Sequence, residues 1–125
     1  MILGRFLKQA RKLALKNPDL KRGFGAVIVD GNRVVSIGRN RRSHPGIPDI
    51  QLNDMRYWGL HAETDALLRV NESVHGMTVY IHGLNRTTGT TVNSQPCKLC
   101  AKMLKERGVH KAVYVTPDGI KEILL

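Results

Sequence analysis

His61-Ala62-Glu63 and Pro96-Cys97-Lys98-Leu99-Cys100 are the two stretches that decide how this 125-residue chain folds. An apolar pattern of helical period follows each of them, so each is expected to open a helix. Cys97 and Cys100 are three positions apart and therefore share a helical face. Both lie in a first turn, where free N–H groups favour the thiolate, and zinc prefers thiolate and imidazole ligands. The pattern predicts a zinc site with His61, Cys97 and Cys100 as ligands.

Glu63 completes the chemistry that this pattern predicts. Three protein ligands leave one position of a tetrahedral zinc open to water, whose pKa zinc lowers to about 7. Glu63 stands two residues from His61, too near along the chain to be a sensible further ligand but well placed beside that water. A carboxylate there can take a proton from the water and return it to a ring nitrogen and a leaving amine. The pattern therefore favours hydrolytic removal of an amine.

Two alternatives to a catalytic zinc remain open from the residues alone. The first is that these residues have unrelated roles. His61 would then be a helix-start residue, Glu63 a capping charge, and the two cysteines a buried or redox-active pair. A structural zinc is the other alternative, and it needs a fourth protein ligand. The histidines available by type are His44, His75, His82 and His110.

The remaining pattern predicts an α/β domain. Residues 2–16 carry apolar side chains at helical spacing, and Pro18 ends that helix. Asp30-Gly31-Asn32 separates two apolar, β-branched runs and predicts a hairpin. The further predicted helices are 61–70 and 96–107, the second ended by Gly108, and the predicted strands are 26–29, 34–37, 77–81, 112–115 and 120–125.

The order of these elements, α-β-β-α-β-α-β-β, predicts one domain over residues 1–125 with a single mixed sheet covered by helices. Only residues 116–119 join the last two strands, too few for a parallel crossover, so these strands are expected to be antiparallel. Residues 39–59 lack periodicity and are expected to form a functional loop. Residues 84–95 are expected to form a second long loop or an irregular hairpin.

Positive charge is concentrated in the first third of the chain. The formal net charge is +10, and residues 1–42 carry eleven Lys and Arg against Asp19 and Asp30. Such an excess favours phosphate-bearing partners, although a solvated basic face is an equally good interpretation. We expect attraction of phosphate or polynucleotide by the N-terminal cations, which are Arg5, Lys8, Arg11, Lys12, Lys16, Lys21 and Arg22.

The sequence also bears on location and assembly. It contains no stretch that is long and apolar enough to span a membrane, and cations interrupt any secretory signal. We therefore expect a soluble protein of the cytoplasm with no membrane partner. The apolar residues 123–125 form an edge that needs cover, so a homo-oligomer is also expected.

The two opening motifs resemble the signature of a known family. His61-x-Glu63 followed by Pro96-Cys97-x-x-Cys100 is similar to the zinc-binding pattern of the cytidine/deoxycytidylate deaminase superfamily. Residues 24–29, 34–40 and 109–116 resemble that family's first hairpin and the strand after its second cysteine, so the resemblance covers most of the chain. It implies a three-layer α-β-α fold with a five-stranded mixed sheet.

The resemblance also implies roles for single residues. His61, Cys97 and Cys100 would bind one zinc ion, Glu63 would shuttle protons, and the Ala62 N–H would contact the base carbonyl. Substrate contacts are expected at Phe24 and Asn40, with an ordinary strand-end residue as the alternative for Asn40. Other candidate contacts come from residue type, with stacking or lid packing at Tyr57 and Trp58 and phosphate contacts at Arg39, Arg41 and Arg42.

Four functions are compatible with these residues. Deamination of cytosine to uracil in a nucleoside or nucleotide, such as cytidine, deoxycytidine or dCMP, is the first. The basic N-terminal third favours cytosine in single-stranded DNA or RNA as the second. Adenosine in tRNA is the third, because the same metal chemistry serves C6 of adenine. A zinc-stabilised nucleic-acid-binding module without activity is the fourth, but it leaves Glu63 without a role.

Overall fold

The structure, a computed structural model, describes residues 4–16, 21–41, 50–52, 55–57 and 61–125, with the backbone alone described at 50–52 and 55–57. The described helices are α1 (Arg5–Ala14), α2 (Ala62–Arg69) and α3 (Lys98–Glu106). The described strands are β1 (Arg22–Asp30), β2 (Arg33–Arg39), β3 (Ile50–Leu52), β4 (Met55–Tyr57), β5 (Thr78–Asn85), β6 (Thr91–Val92), β7 (Lys111–Thr116) and β8 (Gly119–Leu124).

The main sheet has six strands, one more than expected: five follow the order β2-β1-β5-β7-β8, and the two-residue β6 pairs with β5 outside this path. β5 and β7 are parallel, whereas β1 pairs antiparallel with both β2 and β5, and β7 pairs antiparallel with β8. The predicted mixed sheet and its antiparallel final pair are therefore confirmed. The predicted first hairpin is confirmed as well, and Gly31 in its turn has a φ of 61°, which glycine adopts at little cost.

The helices pack on both faces of this sheet. Successive residues of a strand face opposite sides, and in β1 both sides are buried. Val27 belongs to an apolar cluster with Ala10 of α1. Ile28 belongs to the larger cluster on the other face, with Ala66 of α2 and Leu104 of α3. The three-layer α-β-α fold is therefore confirmed.

A close approach of backbone to backbone fixes α2 on the edge strand β2. A Cβ atom at Gly38 would collide with the Ala62 carbonyl oxygen and the Ala66 nitrogen, so only glycine allows this packing. Two residues earlier in β2, the buried Ser36 hydroxyl donates to the Ala66 carbonyl oxygen at 2.7 Å. These two contacts therefore fix the position of the first turns of α2 over the sheet. The residues that open the helix are fixed in position with them.

The segment expected to be a functional loop contains regular structure. β3 and β4 pair antiparallel as a small separate sheet, with Ile50 opposite Tyr57. Strands of three residues are too short to show an alternating pattern, which is why the sequence did not predict them. The second expected loop is an irregular hairpin, because β5 continues to Asn85 and β6 pairs back onto its end.

Helix α3 begins later than the sequence predicts. Cys97 is its N-cap and Lys98 its first residue, so Pro96 lies before the helix rather than in its first turn. Gly108 follows the end of α3 with a φ of 86°, as expected for a residue that terminates a helix. None of the helices in the described part of the chain is long and apolar enough to cross a membrane.

Candidate metal centre

His61 lies at the N-cap of α2, in an extended backbone conformation with φ −76° and ψ 156°. Its carbonyl oxygen accepts the first helical hydrogen bond, from the Asp65 N–H at 2.9 Å. Because Gly38 and Ser36 hold α2 on β2, the imidazole projects from a backbone that the sheet itself positions.

Cys97 and Cys100 lie at the start of α3 and are positioned from the sheet as well. The Ser94 N–H donates to the Val115 carbonyl oxygen in β7 at 2.9 Å. The buried Ser94 hydroxyl also accepts from the Gly83 N–H in β5 at 2.7 Å. At the helix start itself, the Cys97 sulfur accepts from the Cys100 N–H at 3.4 Å. The segment before α3 is thereby tied to two central strands.

The three predicted ligands meet between the two helix starts. His61 Nδ1 lies 3.5 Å from the Cys97 Sγ and 3.4 Å from the Cys100 Sγ, and the three ligand atoms all lie within 4.8 Å of one another. A tetrahedral zinc with ordinary bond lengths would separate such a nitrogen and sulfur by about 3.6 Å. The observed distances fit zinc without rearrangement of the chain, and both cysteines are free thiols.

The ligand groups shift one another's pKa through these contacts. The hydrogen bond from Cys100 and the contact with His61 lower the pKa of Cys97 to about 4, although burial acts in the opposite direction. The hydrogen bond to Cys97, together with burial, raises the pKa of the Cys100 thiol. The hydrogen bond with Cys97 also raises the pKa of His61. A metal cation at this position would displace the protons of these groups, because zinc binds cysteine as thiolate and histidine as neutral imidazole.

Glu63 and Thr64 lie beside the ligands in the first turn of α2. Glu63 is only 6% exposed, and burial raises the pKa of its carboxyl group, with His61 and a hydrogen bond from Cys100 acting in the opposite direction. The buried Thr64 hydroxyl lies 3.7 Å from the Cys100 Sγ. Glu63 was predicted, whereas Thr64 was not, because a threonine inside a helix carries no sequence signal of a role at a metal.

A fourth protein ligand is not found in the described part of the chain. Among those residues, only His61, Cys97 and Cys100 form a cluster that could hold a metal. His82 is buried in β5 and pairs with Gly25 of β1, so both residues face the same side of the sheet. Gly25 faces α1, since a Cβ there would collide with Ala10. His82 therefore lies on the face of the sheet opposite to the metal cluster. His75 and His110 are exposed and lie outside the cluster, and His44 lies outside the described residues.

The predicted substrate contacts at the end of the first hairpin lie close together. The Asn40 Oδ1 accepts from the Phe24 N–H and its Nδ2 donates to the Arg22 carbonyl oxygen, both at 2.9 Å. Phe24 is half-buried, and its ring lies where a Cβ of Gly83 would be. Ala62 is the first residue of α2, where the N–H group has no acceptor within the helix.

The predicted phosphate contacts Arg39 and Arg41 meet a carboxylate that sequence reasoning missed. Asp65 is 4% exposed. Its carboxylate accepts from the Arg39 N–H at 3.0 Å, from the Arg41 Nε at 3.4 Å and from the Arg69 Nε at 3.1 Å. The spacing of Asp65 and Arg69, four residues on a helix, is the one signal that could have revealed part of this cluster.

The remaining predicted contacts cannot be placed in the site. Arg42 and Trp58 lie outside the described residues. Tyr57 ends β4, where only the backbone is described. Their roles stay predictions.

Comparison with known proteins agrees with the geometry of the site. Residues 2–116 match the family described as "Cytidine and deoxycytidylate deaminase zinc-binding region". The chain belongs to this family. It is therefore a zinc-dependent hydrolytic deaminase with one zinc ion as cofactor, and the alternative of a binding module without activity is wrong.

One relative and two solved structures show which known proteins the chain is similar to. The chain is 30% identical over 124 residues to the "Uncharacterized deaminase in luxG 3'region" of Aliivibrio fischeri, a match that covers 96% of the chain and 75% of the relative. The dCMP deaminase of cyanophage S-TIM5, solved with dCMP and dUMP, is 25% identical, with a TM-score of 0.59 and coverage of 89% and 78%. Cytidine deaminase from Mycobacterium leprae shares the fold at 17% identity, with a TM-score of 0.55 and coverage of 94% and 89%.

Proposed function

We propose that this deaminase converts cytosine to uracil in a nucleoside or nucleotide and releases ammonia. The observation that carries the proposal is the buried Glu63 carboxyl beside the cluster of His61, Cys97 and Cys100. The complex of the related phage enzyme with dCMP and dUMP supports a cytosine nucleotide as substrate.

His61 Nδ1 and the sulfur atoms of Cys97 and Cys100 would hold the zinc ion. When bound, zinc supplies a Lewis acid that makes water a nucleophile near neutral pH. The side chains of this cluster come from the starts of two helices that both pack on the same face of the sheet, so the fold brings the ligands together. Thr64 would keep the Cys100 sulfur oriented through its hydroxyl group.

Glu63 would carry the protons. It would take one from the attacking water and give it to the ring nitrogen next to the carbon under attack. It would then take a second proton from the hydroxyl group left on that carbon and give it to the leaving amine, so that ammonia departs as the carbonyl forms. Burial raises the pKa of this carboxyl group, so Glu63 holds a proton more readily than an exposed carboxylate does, as a group that receives and passes on protons requires.

The substrate base would lie between the first hairpin and the start of α2. The Ala62 N–H is free of helical acceptors and would donate to the base carbonyl. Phe24 would supply an apolar surface for the base. Gly83 leaves room for the Phe24 ring, because a Cβ there would collide with it. Asn40 would contact the sugar from the end of β2, and its two hydrogen bonds to β1 hold it at that end.

A cytosine in single-stranded DNA or RNA is the second candidate substrate, and the basic surface favours it. The exposed side chains of α1 include Lys8, Arg11 and Lys12, which lie on one short helix. Cations spaced along a surface attract the regularly spaced phosphates of a polynucleotide.

Ammonia release with a substrate panel tests the proposal. The panel contains cytidine, deoxycytidine, CMP, dCMP, a cytosine-containing single-stranded oligonucleotide of DNA and of RNA, and a tRNA anticodon stem with adenosine. We expect release from nucleosides or mononucleotides, and its loss when a chelator removes zinc. Release from the oligonucleotides alone would favour the second candidate, and release from none of these substrates would contradict both.

Assembly and location belong to the same proposal. β8 is an edge strand of the described sheet, and Leu124 on it is 75% exposed. An apolar side chain on an open edge favours a homo-oligomer. Light scattering during size-exclusion chromatography should give a mass above 14.0 kDa for the particle in solution. The expected cytoplasmic location is tested by fractionation of the source cells.

A further inference from the structure

The buried carboxylate of Asp65 connects the helix that carries the reacting groups to the strand end that carries the expected substrate contacts. Asp65 belongs to α2, whose first turn also contains Ala62 and Glu63. Its carboxylate accepts from the N–H of Arg39, the last residue of β2, at 3.0 Å. The residue after Arg39 is Asn40, the expected contact of the sugar. Asp65 therefore lies at the junction between the reacting groups and one side of the substrate site.

Helix geometry directs the two carboxylates of α2 to different sides. Residues two positions apart on a helix point in directions about 200° apart. Glu63 lies next to His61 and Cys100, whereas Asp65 lies next to β2. The same turn of α2 thus faces the metal cluster with one carboxylate and the end of β2 with the other.

The Arg39 N–H points away from the neighbouring strand. β2 is an edge strand of the described sheet, and N–H groups of an edge strand point alternately toward its partner and away from it. The Asn40 N–H points toward β1, because it donates to the Phe24 carbonyl oxygen at 3.2 Å. The Arg39 N–H therefore points outward, and Asp65, which is 4% exposed, supplies its acceptor.

The end of β2 and the start of β1 form the substrate wall, a name used here for Phe24 and Asn40. The Asn40 Oδ1 accepts from the Phe24 N–H and its Nδ2 donates to the Arg22 carbonyl oxygen, both at 2.9 Å. The two residues of the wall are therefore held together. Because Asn40 follows Arg39 directly, the bond from Arg39 to Asp65 also sets the position of this wall relative to α2.

The remaining contacts of Asp65 keep its carboxylate charged and oriented. Its Oδ1 accepts from the Arg69 Nε at 3.1 Å, and its Oδ2 from the Arg41 Nε at 3.4 Å. Arg69 lies four residues later on the same helix, so α2 itself orients the carboxylate. An ionised acceptor forms a stronger hydrogen bond than a neutral one does, which favours a firm bond to Arg39.

The metal cluster has support of its own. The Ser36 hydroxyl bonds to the Ala66 carbonyl oxygen, and Gly38 allows the close approach of α2 to β2. Both contacts lie before Arg39 in β2. Loss of the Asp65 bond would therefore leave α2 and its ligands on the sheet and would release the end of β2, which carries the substrate wall.

We propose that Asp65 is a positioning residue for the substrate, and that it holds the substrate wall at the distance from Glu63 at which a nucleoside fits between them. The inference rests on the proposed function, which assigns Phe24 and Asn40 to the substrate site. A displaced wall weakens the binding of the substrate and of the transition state alike. Such a loss of uniform binding raises KM and leaves kcat nearly unchanged.

Steady-state kinetics and product binding test the proposal in four variants of the zinc-loaded enzyme. Asp65→Ala removes the acceptor of the Arg39 N–H, whereas Asp65→Asn keeps one oxygen for it. Arg69→Gln is a control that removes another partner of the same carboxylate. Ser36→Ala is a control that removes a buried hydrogen bond between β2 and α2 away from the substrate wall.

The substrate is the cytosine compound that the wild-type protein deaminates fastest, and calorimetry measures the Kd of its uracil product without turnover. We expect KM and this Kd to rise about tenfold in Asp65→Ala and about threefold in Asp65→Asn, the net effect of losing or weakening one hydrogen bond. The kcat of both should stay within about twofold of wild type. Each control should change KM by less than about twofold, although its melting temperature falls.

Unchanged KM and Kd in a folded Asp65→Ala would overturn the proposal, and so would an equal rise in Ser36→Ala. Should Asp65→Ala fail to fold, Asp65→Asn decides: KM and Kd above those of both controls support the proposal, and equal values overturn it. Failure of the proposed function is a different result, because the wild-type protein itself would then release no ammonia from any cytosine compound.

Discussion

Glu63 and Asp65 are two buried carboxylates on the same helix, 6% and 4% exposed, and their surroundings differ completely. Asp65 accepts three hydrogen bonds, two of them from guanidinium groups that balance its charge. Glu63 lies among the predicted zinc ligands. Burial raises the pKa of its carboxyl group by more than His61 and its hydrogen bonds lower it. Burial alone therefore does not make a carboxylate a candidate for proton transfer. The partners that compensate its charge decide between a structural and a chemical role.

Replacement of Glu63 should give the largest effect and tests the chemical side of this comparison. Glu63→Gln keeps the size of the side chain but cannot carry a proton. We expect a loss in kcat of about 10²–10⁴-fold or more, because one group serves two proton transfers. Zinc content and melting temperature should change little. The control is Glu72→Gln, which removes an exposed carboxylate that pairs with Arg33. Loss of zinc or unfolding in Glu63→Gln would instead make Glu63 a structural residue.

His82 extends the comparison to a buried group on the other face of the sheet. Neither ring nitrogen has a hydrogen-bond partner among the described residues, and His82 is 2% exposed. Burial, with a contribution from the charge of Arg11, lowers the pKa of His82 to about 4. The unfolded chain binds the proton near pH 6.5. The free energy of unfolding is therefore unaffected by His82 above about pH 6.5 and falls between about pH 6.5 and 4, by up to about 3 kcal/mol.

Denaturation by urea across this pH range measures the effect. His82→Leu should remove most of the decrease relative to wild type, so that the two curves diverge below about pH 6.5. His110→Gln, which replaces an exposed histidine, is the control. Parallel curves for wild type and His82→Leu would show that His82 finds a partner for its charged form in the folded state.

Replacement of Asp65 tests the structural side of the comparison. Asp65→Asn removes the charge that holds Arg41 and Arg69 and leaves only one oxygen to accept hydrogen bonds. We expect the free energy of unfolding to decrease by about 2 kcal/mol. The kcat should remain close to the wild-type value at temperatures where the variant is folded. A loss of activity as large as that of Glu63→Gln, with the fold intact, would show that the two sides of α2 are not separate.

Replacement of Thr64 should have the smallest effect, because this residue acts through the Cys100 sulfur. Thr64→Val removes the hydroxyl group but keeps the shape of the side chain. We expect zinc affinity, measured by competition with a chelator, to fall about tenfold. Thr78→Val, at the start of β5 and outside the metal cluster, is the control. An unchanged affinity would assign Thr64 to packing alone.

The parts of the site that the sequence predicted are those with a local signal. The types and spacing of His61, Cys97 and Cys100 indicated the metal, and the position of Glu63 indicated a proton carrier. The parts that it missed depend on contacts between distant segments. Asp65 binds the backbone of a residue 26 positions away, and no local pattern marks such a contact. β3 and β4 were missed because three residues cannot show a strand period.

The sequence by itself determined the order of the three helices and of the five longer strands, the two helix starts that carry the ligands, and the kind of chemistry that the ligands allow. The tertiary structure decided that His61 Nδ1 lies 3.4 Å and 3.5 Å from the two sulfur atoms, across 39 and 36 residues of chain. It also decided which side of α2 faces the metal and which faces β2. Local preferences fix the direction of a side chain relative to its own helix, but the distance and rotation between elements follow from packing. Here the approach of α2 to Gly38 and the sheet contacts of Ser94 set both.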